Sequence, residues 1–348
     1  MNYRILTQPK NFVFIAVLAL AMSFVCTNIA HASGAFISSL FNNRVLEYDP
    51  VTADFFRVFA ENPPIEDPEG LLFDLNENIY ISSCGNDAVY YYQGGFGGLL
   101  DVTVPPGTGG LDCPVALEYG PSNSLLVASF DSDEVLRYDL DTGDFLGAFV
   151  TAGSGGLDGP SDIKYGPNGN LYVTSEFTDE VLEYNGSTGE FIRVLVTAGS
   201  GGLSSPTALF FIPGHLFVAS FDTDEILSYQ PTTGASQGAF VSSGSGGLDG
   251  PDCLNFGFEA ASNMFVCSFD SDEILQYSRV DGHFIGVFVP AGSGALDGPT
   301  AIVFKDKKHH HGSSCSVAAA GTGTKVAIPA LILFVPILFV ALRRKLRA

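Results

Sequence analysis

The sequence predicts an all-β fold, a six-bladed β-propeller with four antiparallel strands in each blade. Three observations lead to this prediction: one unit recurs six times at intervals of 45 to 48 residues, each unit contains four strand-like segments, and turn residues separate the segments. A fixed period of this length is typical of propellers and solenoids. Units this short cannot bury a core alone, so they must pack on one another. The predicted propeller covers residues 33–305.

Each unit begins with a predicted strand that opens on a proline and becomes apolar, such as PEGLLF from Pro68. Its counterparts begin at Pro114, Pro160, Pro206, Pro251 and Pro299. The second strand begins at Gly34, Asn78, Ser124, Asn170, His215 and Asn263. The third begins at Val45, Val89, Val135, Val181, Ile226 and Ile274. A fourth, such as FLGAFV from Phe145, precedes a Gly-rich linker, and short β-branched and aromatic runs between Gly, Asp, Asn or Pro indicate strands.

The two ends of the predicted propeller are out of phase with the repeat. The chain enters at a strand of the second type, at Gly34, and leaves after a strand of the first type, at Pro299. The last strand therefore completes the first blade. This closure places the N- and C-terminal strands in one blade and leaves no open edge at the joint.

Charge restricts the partners of the chain. The protein has 348 residues and a formal net charge of −22, and all of its acidic residues lie between residues 33 and 308. Such a segment repels phosphate backbones and anionic membrane surfaces, which excludes nucleic acid as a partner, and it attracts cations or basic proteins. A hydrophobic content of 46% excludes a disordered chain.

Acidic residues are concentrated in two sets of loops that a propeller places on one face. These are the loops between the second and third strands and the linkers between blades. Carboxylates and backbone carbonyls are the ligands that Ca²⁺ prefers. The candidate ligands for a bound Ca²⁺ are Asp131, Asp133, Asp158, Asp222, Asp224, Asp249, Asp270, Asp272 and Asp297. The alternative is that these residues accept hydrogen bonds from turn backbone and keep the protein soluble.

The cysteines fit an oxidising compartment, where disulfides persist. If Gly257 pairs with Asn263 in an antiparallel hairpin, Cys253 lies opposite Cys267, within bonding distance. We therefore predict a disulfide between Cys253 and Cys267. Cys84 and Cys113 lie in loops of neighbouring blades, where the sequence leaves both a disulfide and free thiols open.

Two stretches resemble the NHL repeat: FNNRVL from Phe41, which follows a Phe-Ile-Ser-Ser strand, and GPNGNLYV from Gly166. The resemblance covers residues 34–305 and implies a six-bladed propeller, but not one function, since its relatives include enzymes, protein-binding modules and RNA-binding modules. Later blades have Asp-Glu where the Asn-Arg pair stands, which argues against RNA binding. These pairs begin at Asp133, Asp179, Asp224 and Asp272.

Six-bladed propellers include enzymes of the gluconolactonase and paraoxonase type. Resemblance to these enzymes would imply a divalent metal on the axis, held by Glu, Asn and Asp, and hydrolysis of lactones or esters. The blades that diverge from the repeat offer the possible ligands Asn42, Asn43, Cys84, Asn86 and Asp87. No pair of nucleophile and base is recognisable, so no catalytic residue is predicted.

Both ends of the chain have the composition of targeting segments. Residues 1–32 have basic residues, an apolar run and small residues up to Ala32, which predicts a signal peptide; an uncleaved anchor is the alternative. At the other end, a polar linker (306–325) containing Cys315 precedes an apolar helix with a basic tail (326–348). This order resembles the PEP-CTERM and GlyGly-CTERM class of sorting signals, which implies removal of the helix and display at the bacterial surface. A permanent membrane anchor is the alternative.

Together these features predict an exported, non-catalytic propeller at the cell envelope that binds a ligand, glycan or protein through its acidic face, with Ca²⁺ as a candidate cofactor. One alternative is a metal-dependent hydrolase of the lactonase type. A second is a structural protein of the cell surface or matrix.

Overall fold

The structure, a computed structural model, describes residues 33–257 and 263–305. These residues form 24 strands in six four-stranded antiparallel sheets, which confirms the predicted six-bladed propeller. The predicted signal peptide, with Ala32, and the C-terminal linker and helix, with Cys315, lie outside the described residues. Within the described ranges, no helix has both the length and the apolar character needed to span a membrane.

The blades follow one another along the chain, and the four strands of each blade run in order from the axis outward. Blade 1 contains β24 (Pro299–Lys305), β1 (Gly34–Ser39), β2 (Arg44–Tyr48) and β3 (Phe55–Glu61). Blade 2 contains β4 (Pro68–Phe73), β5 (Ile79–Ser83), β6 (Ala88–Tyr92) and β7 (Leu99–Val104). Blade 3 contains β8 (Pro114–Gly120), β9 (Ser124–Ser129), β10 (Glu134–Asp139) and β11 (Phe145–Val150).

The second half of the ring repeats this order. Blade 4 contains β12 (Pro160–Tyr165), β13 (Leu171–Ser175), β14 (Glu180–Tyr184) and β15 (Phe191–Val196). Blade 5 contains β16 (Pro206–Ile212), β17 (His215–Ser220), β18 (Glu225–Tyr229) and β19 (Ser236–Val241). Blade 6 contains β20 (Pro251–Phe256), β21 (Met264–Ser268), β22 (Glu273–Tyr277) and β23 (Phe284–Val289). The third strands begin one residue earlier than predicted.

Closure of the ring agrees with the phase of the repeat. The C-terminal strand β24 pairs antiparallel with the N-terminal strand β1, from Gly34 opposite Lys305 to Ser39 opposite Pro299. In blade 6, Cys253 pairs with Cys267 in the ladder, and the predicted disulfide between them is confirmed.

The hydrophobic core is divided into six clusters, and each lies between two neighbouring blades. In β13, for example, Leu171 and Val173 pack toward blade 3, whereas Tyr172 packs toward blade 5. Alternate residues of a strand point to opposite faces of its sheet, so a strand covered on both faces is apolar throughout. This is why the second strands have no polar face and are buried along almost their whole length.

Hydrogen bonds from tyrosine reinforce the packing between blades. Five tyrosines at the ends of third strands donate their hydroxyl to a carbonyl in the Gly-rich linker that enters the same blade, at 2.6 to 2.7 Å. The pairs are Tyr48 with Ser293, Tyr138 with Thr108, Tyr184 with Ser154, Tyr229 with Ser200, and Tyr277 with Ser245. The sixth, Tyr92, is buried, but its hydroxyl has no hydrogen-bond partner among the described residues, because the linker before its blade is not Gly-rich.

A second set of hydrogen bonds joins each blade to the linker that follows it. The residue before each third strand is Asn or Asp in a left-handed conformation, with φ between 54° and 58°. Its Oδ1 accepts a hydrogen bond of 2.6 to 2.9 Å from a backbone N–H of the next linker. We call these six residues the clamp residues: Asn43, Asp87, Asp133, Asp179, Asp224 and Asp272. Asn and Asp suit this position because they tolerate positive φ and carry a short acceptor.

We expect Tyr184→Phe to lower the free energy of unfolding by about 1 kcal/mol, because it removes a hydrogen bond to the Ser154 carbonyl. The matched control is Tyr92→Phe, which removes a buried hydroxyl that has no partner in the part of the chain that the structure describes, and it should leave stability unchanged or slightly higher. Urea denaturation of both variants measures the difference. Equal losses in the two variants would contradict a role for the hydrogen bond.

For the clamp at Asp133, we expect Asp133→Gly to lower the free energy of unfolding by about 1 to 3 kcal/mol, since the N–H of Gly159 loses its acceptor. Glycine adopts the positive φ without strain, so a loss of stability would not come from a disfavoured backbone conformation. Asp133→Asn is the control and should be close to neutral, because Asn43 performs the same role in blade 1. A large loss for the Asn variant would mean that the negative charge matters more than the acceptor.

Candidate binding face and axial channel

One end of the propeller carries both acidic loop sets, and we call it the acidic face. Its loops are anchored by a buried serine at the end of each second strand. The serine hydroxyl donates to the carbonyl and accepts from the N–H of one linker residue, at 2.6 to 3.1 Å. The pairs are Ser39 with Asp297, Ser83 with Glu66, Ser129 with Asp112, Ser175 with Asp158, Ser220 with Ser204, and Ser268 with Asp249.

The structure divides the predicted Ca²⁺ ligands into two groups. Asp133, Asp224 and Asp272 are clamp residues, and one oxygen of each is already bonded to a linker N–H. The others are exposed on loops and linkers: Asp131, Asp158, Asp222, Asp249, Asp270 and Asp297. Within residues 33–257 and 263–305, no three His, Cys, Asp or Glu side chains are placed to hold a metal ion. Calcium binding by these loops stays a prediction.

Neighbouring carboxylates on the acidic face still affect one another. Partial burial raises the pKa of Asp249, and the charges of Asp224 and Asp270 raise it further. Partial burial likewise raises the pKa of Asp112, with added repulsion from Asp87 and Asp131. A cation that approaches this face would relieve the repulsion, since it lowers the energy of the ionised form of each group.

At the boundary between blades 2 and 3, a disulfide joins Cys84 to Cys113. The sequence left this pairing open, because both cysteines lie in loops whose register cannot be read from strand alternation. At the equivalent boundary between blades 5 and 6, the ring of Phe221 lies against Gly250. The disulfide therefore takes the place of an aromatic contact and links the two blades covalently on the acidic face.

The residues considered as possible ligands of a lactonase-type metal have structural contacts. Asn43 and Asp87 are clamp residues, and Cys84 is in the disulfide. Asn42 donates to the carbonyl of Ala295, and Asn86 donates to the carbonyl of Pro64 at 2.6 Å. The five residues lie in two loops, one between β1 and β2 and one between β5 and β6, and these contacts tie them to the neighbouring loops and linkers.

The axis of the propeller contains a cavity of about 120 Å³, lined by the six inner strands. Its polar lining comes mainly from the residue after each strand-initiating proline, which differs from blade to blade. The series is Glu69, Val115, Ser161, Thr207, Asp252 and Thr300. Sequence reasoning missed this set, although a variable polar residue at a fixed place in an otherwise apolar strand was a visible signal. We call this cavity the axial channel.

Ser161, Thr207 and Thr300 use their hydroxyls to bridge the inner strands. Each donates to the carbonyl of the proline that opens the inner strand of the next blade, at 2.6 to 3.0 Å. The hydroxyls thus hold the wall of the axial channel together. The acidic members of the series, Glu69 and Asp252, contribute negative charge to it.

Deeper in the axial channel, Asp162 and Lys164 form an ion pair of 3.0 Å. The other oxygen of Asp162 accepts the N–H of Leu209 on the neighbouring inner strand, also at 3.0 Å. Burial disfavours the charged ammonium of Lys164, but the carboxylates of Asp162 and Glu118 outweigh burial and raise its pKa. Lys164 is therefore a fixed positive charge that balances the carboxylates beside it.

The side chains that follow the anchoring serines lie near the mouth of the axial channel on the acidic face, and two of them, Phe130 and Glu176, line the channel. Blades 3, 5 and 6 have a phenylalanine directly after the anchoring serine: Phe130, Phe221 and Phe269. Blade 4 has Glu176 there, only 4% exposed, followed by Phe177, which is 58% exposed. The Phe177 ring packs edge-on against Phe130, with centroids 5.3 Å apart. Blade 4 thus breaks the symmetry of the mouth, with a buried carboxylate beside an exposed ring.

Comparisons with known proteins identify the fold. No family model matches the sequence, and no curated protein is similar to it. Among solved structures, the chain is similar to one chain of a nidogen/laminin complex, with a TM-score of 0.64, 14% identity, and coverage of 79% of this chain and 99% of that one. It is also similar to a protein of unknown function from Bacteroides caccae, with a TM-score of 0.58, 12% identity, and coverage of 78% and 98%. At these identities the comparisons establish the β-propeller fold alone.

Proposed function

We propose that this protein is an exported, non-catalytic β-propeller of the bacterial cell envelope that binds a basic protein through its acidic face. The observation that carries the proposal is that the loop aspartates fall into two groups, one bonded to the linkers and one exposed. The clamp residues maintain the fold, whereas Asp131, Asp222 and Asp270 are exposed in the same loops. These exposed carboxylates take no part in the clamp, although Asp222 accepts a hydrogen bond from the Ser204 hydroxyl at 3.0 Å, and they are the groups that we expect to contact a partner.

Electrostatics favours a basic partner over an acidic or neutral one. Linker aspartates such as Asp158 and Asp297 add to the exposed loop carboxylates, so one face presents a concentrated negative potential. Complementary charge steers association and suppresses binding of like-charged partners. Exposed Phe177 adds an apolar contact of the kind that is enriched at protein interfaces.

The structural comparison supports the choice of a protein partner. One similar chain comes from a structure described as a complex of nidogen and laminin, so a propeller of this shape occurs in an assembly of two proteins. The likeness is one of fold, and the acidic face is the feature of this chain that would make the contact.

Location at the cell envelope is part of the proposal and rests on the targeting segments at residues 1–32 and 306–348. We expect the surface-released protein to begin near Ser33 and to lack the C-terminal helix. Intact mass spectrometry measures both ends. Retention of Arg343 to Ala348 would indicate a permanent anchor.

We expect the triple variant Asp131→Asn, Asp222→Asn, Asp270→Asn to bind basic peptides at least about tenfold more weakly than the natural protein, because three exposed charges are lost. The probes are synthetic decapeptides of equal aromatic content with net charges of about +4, 0 and −4, chosen to span both signs of charge. Affinity is measured by fluorescence anisotropy at two NaCl concentrations, and the natural protein should lose affinity for the most basic peptide at the higher one.

The control variant removes three charges from the opposite end of the propeller: Asp141→Asn, Glu190→Gln and Asp281→Asn. This variant should bind the basic peptides as tightly as the natural protein does. An equal loss of affinity in both variants would mean that only the net charge of the protein matters.

Thermal unfolding with CaCl₂, MgCl₂ or NaCl at matched ionic strength tests the calcium prediction in the same samples. Only a Ca²⁺-specific rise in melting temperature that the loop variant abolishes would support a calcium site.

A further inference from the structure

We propose that the axial channel receives one arginine side chain of the partner, inserted from the acidic face with its guanidinium among the channel carboxylates. This inference rests on the proposed function and names the group that the acidic face recognises. The residues of the axial channel are different from the exposed loop aspartates, so this inference and the proposed function can be tested separately.

The geometry of the axial channel suits a receptor for one side chain. The cavity of about 120 Å³ has room for several water molecules or for one polar group of similar bulk. Its walls are partly apolar, with Leu71, Leu117 and Leu254 among the lining residues. Apolar walls with a few placed polar groups are typical of ligand sites.

The channel lining carries an excess of negative charge. The lining contains four carboxylates and one lysine, Lys164, whose ammonium pairs with Asp162. The carboxylates are those of Glu69, Asp162, Glu176 and Asp252. Glu69 and Glu176 are only 6% and 4% exposed, and nearby positive charge lowers the energy of a buried carboxylate. These carboxylates already accept hydrogen bonds, such as the one from the Ser205 hydroxyl to Glu176. A cationic ligand would stabilise their charged form further.

Glu69, Glu176 and Asp252 come from alternate blades, 2, 4 and 6, and so surround the axis from three directions. Within the described part of the chain, no three acidic side chains are close enough to share a bare metal ion. A guanidinium is larger, spreads its charge over a plane and has five N–H donors, so it can reach carboxylates that a small ion cannot bridge.

Aromatic rings at the mouth favour arginine over lysine. Phe130 lines the channel, and the exposed ring of Phe177 packs against Phe130. Guanidinium groups stack on aromatic faces more readily than ammonium groups do. The sequence of blade 4, Glu176 followed by Phe177, places a carboxylate and a ring at the point where an entering side chain would pass.

The experiment uses the full chain and three blocked pentapeptides, Gly-Gly-Xaa-Gly-Gly, in which Xaa is arginine, citrulline or lysine. Citrulline has nearly the shape of arginine but no charge. NMR titration measures each affinity. We expect the citrulline peptide to bind at least about tenfold more weakly than the arginine peptide, and the lysine peptide to bind severalfold more weakly.

Two variants locate the site. The isosteric double variant Glu69→Gln, Asp252→Asn should weaken arginine-peptide binding at least about tenfold, whereas Asp281→Asn, at the opposite end of the propeller, should change it less than about twofold. Phe177→Ala, an exposed position, should weaken it severalfold without affecting the fold and serves if the double variant does not fold.

Equal binding of the arginine and citrulline peptides, or no effect of either channel variant, would overturn the inference. If the channel variants bind normally while the triple loop variant loses the basic decapeptide, the proposed function stands and the axial channel is not its receptor. If the loop variant binds normally as well, both proposals fail. Lysine and arginine peptides of equal affinity would overturn the assignment of a guanidinium.

Discussion

The structure depends on closure of the ring, because every blade buries its two faces against neighbours and a gap would expose the two faces that pack together at that boundary. Closure is made by the antiparallel pairing of β24 with β1. The same joint repeats the hydrogen bonds found at the other blade boundaries: Tyr48 to Ser293, Ser39 to Asp297, and Gly298 to Asp272. The N- and C-terminal strands are far apart in the sequence, but the same kinds of hydrogen bond hold them as hold blades that follow one another along the chain.

This constraint explains the repetition of the acidic loops. Each loop must supply a serine that holds its own linker and a clamp residue that holds the next one, so these positions vary little among the six blades. Positions between them are free of both tasks and carry Asp131, Asp222 and Asp270. Residues that hold the loops and exposed carboxylates therefore occupy alternate places in one loop, and the charge of the face follows from the repeat.

Departures from the repeat mark the places where this propeller differs from a symmetric one. Blade 2 replaces an aromatic contact with the Cys84–Cys113 disulfide, and blade 4 places Glu176 where blades 3, 5 and 6 have phenylalanine. Both departures lie on the acidic face. A symmetric ring presents equivalent surfaces in all directions, whereas these two departures make the acidic face asymmetric.

The sequence by itself determined the number of blades, the strand order, the closure and the Cys253–Cys267 disulfide. These follow from local signals: a period, strand-length apolar runs, and alternation that fixes which residues face each other. Tertiary structure decided the roles of individual carboxylates. Asp131 and Asp133 are alike in sequence, but Asp133 is the one that accepts a linker N–H from the next blade. The axial channel and the Cys84–Cys113 bond were also decided at this level, because residues from different blades meet only when the ring forms.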